Sequence, residues 1–195
     1  MEKELIFREV SPAEIKVDSR ELSARLGGYC TACGDIAGGF IAEILDEASP
    51  KYAAVVCDVS YDDDAVIIDG KRIYSMALRK NLGGAPRAYV IAVTLGIEVD
   101  RYLKRQSVAS PARHFIADGA ASALAEALAD ICESDIGKDL KLCPRFSPGY
   151  ADLPLSVQSF ILSRLSAQRL LGITLTDSYL MIPTKSITAI IGINE

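Results

Sequence analysis

The stretch RAYVIAVTLG, residues 87–96, decides the fold more than any other segment of the chain. It is an unbroken apolar run, rich in β-branched and aromatic residues and closed by a glycine, and it has the length of a strand. We interpret it as a buried strand. The charged segment IEVDRYLKRQ, residues 97–106, follows at once and has the pattern of a helix.

Further strands are predicted on both sides of this run. YAAVVCDVSY, residues 52–61, has strand composition, and AVIIDGKRIYS, residues 65–75, predicts two short strands around an Asp-Gly turn. The C-terminal segment 173–193 predicts a strand, a turn interrupted by proline and a second strand. Such hairpin signals favour antiparallel pairing.

Helices are predicted in four other segments, three of them from capping or stop signals and the one near Asp35 from its apolar positions. The clearest begins at Ser110-Pro111, because serine caps a helix and proline suits its first position. The predicted helices cover residues 17–28, a segment from near Asp35, residues 110–133 and residues 155–172, the last stopped by Gly172.

Strand and helix runs are mixed along the chain without strict alternation, which favours an α+β fold over a doubly wound parallel sheet. We therefore predict a single domain over residues 1–195, with a twisted, mainly antiparallel sheet packed by helices. A chain of 195 residues is long enough to bury a core without disulfides.

Composition and charge exclude several classes of function. The net charge of −5 and the absence of a basic run make nucleic acid an improbable partner. No window reaches the ~18 apolar residues of a membrane span. The charged N-terminus lacks the apolar core of an export signal, so we expect a cytoplasmic protein with reduced cysteines.

Motifs for common catalytic and metal chemistry are missing or incomplete. Cys30 and Cys33 form a C-x-x-C pair, which fits either simple packing or a redox or metal role, but a zinc site needs four ligands. His114, the only histidine, is expected at a solvated helix position. No glycine-rich phosphate loop and no nucleophile–base pair is apparent, so we predict no catalytic residue and no metal.

The segment CPRFSPGYADLP, residues 143–154, predicts a rigid turn beside a lone cation. Ser147 to Tyr150 fits a type II turn, because Pro148 fixes φ and Gly149 supplies positive φ. Arg145 offers a planar fork to a carboxylate, and Tyr150 offers a ring face. With Glu126 and Asp130 one helical turn apart, these residues suit a zwitterionic cation with an aromatic ring; the alternative is an Arg145 that pairs with a surface carboxylate.

Three motifs resemble the activation domain of cobalamin-dependent methionine synthase, and the segments 17–28 and 90–96 resemble those of its free-standing versions. In chain order, the first is LAEALA at 124–129, which contains Glu126, and the second is Arg-x-x-x-Gly-Tyr at Arg145, Gly149 and Tyr150. The third is a C-terminal pattern that comprises Leu175, Thr176, Ser178, Met181, Pro183 and Ser186. That family binds S-adenosylmethionine (AdoMet).

The resemblance implies a set of AdoMet-binding residues. Arg145 would bind the ligand carboxylate, and the backbone around Ser147 and Gly149 would contact adenine next to Tyr150. Glu126 would lie near the sulfonium and the amino group. Asp139 is a candidate second acid on spacing alone.

The resemblance also implies a function: an accessory component of a methyltransferase that supports reductive reactivation of cob(II)alamin. The chain would present AdoMet in trans to cobalamin bound on a separate methionine synthase subunit, with an electron donor such as flavodoxin or ferredoxin. Two alternatives stay open: a reactivation partner of another corrinoid methyltransferase, and a structural subunit that caps cobalamin without using AdoMet.

Overall fold

An antiparallel sheet forms the centre of the structure, a computed structural model that describes residues 5–17, 22 and 34–194. Within these residues the sheet has seven strands in the order β4-β3-β2-β5-β9-β6, and β1 pairs with β2. A separate two-stranded hairpin is formed by β7 and β8. The strands are β1 Leu5–Glu9, β2 Lys51–Tyr61, β3 Val66–Ile68, β4 Lys71–Ile73, β5 Arg87–Thr94, β6 Lys141–Leu142, β7 Thr174–Leu175, β8 Met181–Ile182 and β9 Ser186–Asn194.

Helices cover both faces of the sheet. One core joins the sheet to α1, α3 and α4, and a second core joins it to α2, α5 and α6. The predicted class, α+β with a mainly antiparallel sheet packed by helices, is confirmed. The helices are α1 Gly34–Glu47, α2 Met76–Leu82, α3 Ile97–Ala109, α4 Pro111–Ile136, α5 Val157–Arg164 and α6 Ala167–Leu171, and Pro12–Glu14 adds a short 3-10 turn.

Strand β5 lies between the two cores, as its composition predicts. Ile91 and Val93 point into the core with α1, α3 and α4, whereas Val90 and Ala92 point into the opposite core. Successive side chains of a strand alternate between faces, so a strand covered on both faces needs apolar residues throughout. This double burial explains the unbroken apolar run.

Two local predictions are confirmed closely. Asp69 and Gly70 have φ angles of 47° and 82° and join β3 to β4 as the predicted hairpin turn. Helix α4 begins at Pro111 directly after Ser110 and continues to Ile136. Both features depend on backbone preferences of adjacent residues, which makes them visible in the sequence.

The single helix predicted over residues 155–172 is wrong. The chain forms α5 and α6 instead, separated at Ser166, whose φ is 48°. Helix α5 packs on β5 and β9, whereas α6 packs on β2 and β5. The break redirects the chain across the sheet, so that apolar side chains of both pieces reach the same core.

Some predictions fall outside the described residues. Of the helix predicted over 17–28 only Leu22 is described, and it is helical; the Cys30 and Cys33 pair is not described. The described cysteines are buried free thiols, and burial raises the pKa of Cys57 to about 11. His114 is half-buried rather than solvated. None of the described helices has the length and apolar character to cross a membrane.

A polar network fixes the C-terminal end of α4 against the sheet. The Tyr52 hydroxyl donates to the Asp135 carboxylate at 2.7 Å, and Arg8 Nη1 donates to it at 2.5 Å. Arg8 also bonds Glu14 of the 3-10 turn. The hydrogen bond from Tyr52, assisted by Arg8, holds the pKa of Asp135 below its ordinary value.

We predict that this network makes the free energy of unfolding depend on pH in the acidic range. Because the pKa of Asp135 is lower in the folded chain, its stabilisation is complete above the unfolded pKa of about 4 and is lost as pH falls toward the folded value. Asp135→Asn should lower the free energy of unfolding by about 1 kcal/mol at pH 7 and by less at pH 3. Urea unfolding at both pH values measures this. Asp177→Asn, on the exposed β7–β8 hairpin, is the control; an equal loss for Asp135→Asn at both pH values contradicts the prediction.

Candidate functional site

A cleft of about 1080 Å³ lies between α4, the β6–β9 edge of the sheet and the loop that follows β6. This volume is slightly above the range of about 300–1,000 Å³ that is typical of pockets for small ligands. Four of the predicted ligand residues line it: Glu126, Arg145, Ser147 and Tyr150. Residues of the first two motifs, which are distant in sequence, therefore meet in one place, whereas the C-terminal pattern at 175–186 does not line the cleft.

Hydrogen bonds to β9 position Arg145. The Cys143 amide donates to the Gly192 carbonyl at 2.9 Å. The Phe146 amide donates to the Ile190 carbonyl at 3.0 Å, and the Ile190 amide donates back to the Phe146 carbonyl at 2.9 Å. Arg145 lies between these two attachments, so the edge of the sheet fixes its backbone.

The turn at Ser147–Tyr150 has the predicted form. The Tyr150 amide donates to the Ser147 carbonyl at 3.2 Å, and Gly149 has a φ of 92°. The Gly149 amide donates to the Leu153 carbonyl at 2.9 Å. Both amides are therefore used inside the loop, and the exposed ring of Tyr150 stands beside the turn at the cleft.

Asp152 anchors the other end of this loop, a role that the sequence analysis did not predict. Its carboxylate accepts a hydrogen bond of 2.5 Å from the Ser75 hydroxyl and one of 2.8 Å from the Met76 amide. The hydrogen bond from Ser75 is the main cause of a pKa of Asp152 below its ordinary value. The loop is thus tied to the start of α2 as well as to β9.

Arg145 is surrounded by three carboxylates of α4. Its Nη1 donates to Asp130 at 2.6 Å and to Glu133 at 2.9 Å, and Nη2 lies 3.4 Å from Glu126. Burial alone would lower the pKa of Arg145, but the hydrogen bond to Asp130 and the three negative charges outweigh it and raise that pKa. In this structure Arg145 therefore pairs with carboxylates, as in the alternative interpretation of the sequence.

Glu133 is the acid that sequence reasoning missed. It lies three residues after Asp130 and seven after Glu126, which places all three on one face of α4. That spacing was the signal available in the sequence.

The cleft carries a surplus of negative charge. Glu126, Asp130 and Glu133 line it together with Arg145 and Lys138, three acids against two bases, which gives a net charge of −1. Such a site suits a ligand that presents one carboxylate to Arg145 and positive charge to the acids.

Two predicted ligand residues do not line the cleft directly. Gly149 lies within the turn, and Asp139 is exposed between the cleft residues Lys138 and Leu140. Their proposed contacts stay predictions. Among the described residues, no group of histidine, cysteine or acidic side chains could hold a metal ion.

A comparison of structures finds a protein with the same fold. The crystal structure of the MetH reactivation domain bound to AdoHcy matches over 97% of this chain and 78% of that chain, with a TM-score of 0.70 and 16% sequence identity. No protein-family model and no curated protein sequence matches the chain. The fold expected from the resemblance to the methionine synthase activation domain is confirmed.

We predict that Gly149→Ala destabilises the loop, because alanine disfavours a φ of 92° and its Cβ would lie 3.3 Å from Leu155 Cδ1. The free energy of unfolding should fall by about 1 kcal/mol or more. Ala151→Gly is the matched control, since Ala151 already has a φ of 49° and glycine relieves that strain. Urea unfolding compares the two variants. A neutral Gly149→Ala would show that the turn tolerates a side chain.

Proposed function

We propose that the cleft binds AdoMet and that the chain presents the AdoMet methyl group to cobalamin on a partner protein, for reductive reactivation of cob(II)alamin. The observation that carries this proposal is the gathering of Arg145, Glu126, Ser147 and Tyr150 around one acidic cleft. The shared fold with a reactivation domain supports it.

The charges of AdoMet match those of the cleft. Its carboxylate fits the guanidinium of Arg145, because Arg145 lines the cleft and its side chain is 22% exposed. Its ammonium and sulfonium groups fit the carboxylates of α4, Glu126 among them. The ring of Tyr150, 70% exposed, is available to stack on a flat base.

The role of the protein in the reaction is to orient the ligand. The two cofactors would supply the chemistry: AdoMet, held by Arg145 and Glu126, would be the source of the methyl group, and the cobalamin of the partner, once reduced by one electron, would be its acceptor, with AdoHcy as the second product. The chain must hold the sulfonium so that the methyl carbon points out of the cleft, which is catalysis by proximity and orientation. No side chain has to act as a nucleophile or a base.

Binding of AdoMet should depend on Arg145. Arg145→Ala removes a charge-assisted contact worth about 1.5–3 kcal/mol, so we expect Kd to rise roughly 10- to 150-fold. Calorimetric titration of the purified chain measures this, with Arg169→Ala as an exposed control outside the cleft. Absence of heat for wild type with both AdoMet and AdoHcy at millimolar concentration would remove the AdoMet proposal and favour a structural capping role.

Reactivation itself can be followed in the spectrum of cobalamin. We expect the chain, mixed with the cobalamin-loaded partner, to restore methylcobalamin from cob(II)alamin only when AdoMet and a one-electron reductant are both present. Arg145→Ala should lower the rate of methylcobalamin formation at limiting AdoMet. The rate should recover at high AdoMet, because the residue acts in binding rather than in chemistry.

Control reactions that omit the chain, AdoMet or the reductant should retain the cob(II)alamin spectrum. If the complete mixture also retains it while AdoMet binding is intact, the chain binds AdoMet for another purpose. A second corrinoid protein in place of the synthase subunit tests the other class of partner.

A further inference from the structure

The carboxylates of α4 contact the nitrogens of the Arg145 guanidinium unequally. Nη1 carries two N–H groups, and its two partners, Asp130 at 2.6 Å and Glu133 at 2.9 Å, use both. Within the described residues, Nη2 has the 3.4 Å contact to Glu126, and none of the hydrogen bonds of Arg145 involves Nε. The edge formed by Nε and Nη2 is the one left for a ligand.

We infer that Asp130 and Glu133 are positioning residues that hold Nη1 of Arg145, so that a ligand carboxylate binds side-on to Nε and Nη2. This inference rests on the proposed AdoMet site and adds to it the geometry of recognition and two residues that set it. A carboxylate bound to two parallel N–H groups forms the directional pair for which arginine is suited.

The benefit of the two anchors is preorganisation. An arginine side chain loses considerable rotamer freedom when a ligand fixes it. Here the protein already fixes it, because two carboxylates on successive turns of α4 hold the same nitrogen. The entropic cost of ordering Arg145 on ligand binding is then smaller, so more of the free energy of the contact contributes to affinity.

Glu126 has a different role from the two anchors, Asp130 and Glu133. Within the described residues, its oxygen is the only carboxylate in contact with Nη2, and at 3.4 Å this contact is the longest of the three. An arriving carboxylate competes with Glu126 rather than with the anchors. Glu126 also lies beside the proposed carboxylate position, where its negative charge attracts the positive groups of the same ligand.

Asp130→Ala with Glu133→Ala removes both anchors and keeps the helix, since alanine is the best helix former. The test compares two ligands, AdoMet and decarboxylated AdoMet, which lacks only the carboxylate. We expect the preference for AdoMet, the ratio of the two Kd values, to fall three- to tenfold, the cost of ordering one long side chain. Calorimetric titration measures both constants.

The opposite result follows if the two acids act only through their charge. Decarboxylated AdoMet carries more positive charge, so loss of two negative charges would weaken its binding more and raise the preference for AdoMet. A raised or unchanged preference overturns the inference. So does tighter AdoMet binding, which would mean that the anchors compete with the ligand.

Two controls separate positioning from general effects. Glu47→Ala with Glu98→Ala removes two carboxylates that also bond arginines, Arg105 and Arg101, and that do not line the cleft. This control should leave the preference unchanged. In an Arg145→Ala background the anchor substitutions should have no further effect on the preference.

Asp130→Asn with Glu133→Gln provides a second anchor variant. Its preference for AdoMet over decarboxylated AdoMet should lie between that of wild type and that of the alanine pair. A wild-type protein that binds neither ligand would overturn the proposed function, and this inference with it. A wild type that binds AdoMet but keeps its preference after loss of the anchors overturns the inference alone.

Discussion

Burial of β5 on both faces is the constraint on which the rest of the structure depends. A strand without a polar face needs a helical layer on each side, and the two cores divide the helices accordingly. Helix α4 lies on one face of the sheet and also packs against α1 and α3, and small buried residues on several sides of α4 allow these close approaches. These residues are Ala117, Ala120, Ala121, Ala123, Ala125, Ala127 and Ala129.

The candidate site forms where this helical layer meets the edge of the sheet. Arg145 takes its position from β9, whereas Glu126, Asp130 and Glu133 take theirs from α4. Asp135 ties the same end of α4 to β1 and β2 through Arg8 and Tyr52. The distances between the guanidinium and the carboxylates therefore depend on how the layers pack, so a core substitution under α4 can alter the site without touching it.

The two interpretations of Arg145 in the sequence, surface pairing and ligand binding, are compatible once its contacts are resolved by atom. Pairing with Asp130 and Glu133 occupies Nη1, Nη2 has the longer contact to Glu126, and the proposed ligand carboxylate would bind at the Nε–Nη2 edge. A partly exposed ion pair contributes little to stability because water screens it. The same pair can nevertheless orient a donor group for a ligand.

The sequence by itself determined the features that depend on adjacent residues: the buried strand β5, the Asp69-Gly70 turn, the start of α4 at Pro111 and the turn around Gly149. Apolar periodicity and backbone dihedral preferences act locally, so they are visible without a structure. Only the tertiary structure decided the break at Ser166 and the meeting of Glu133 with Arg145. Those features minimise the free energy of contacts between segments that are distant in sequence, and no local preference specifies them.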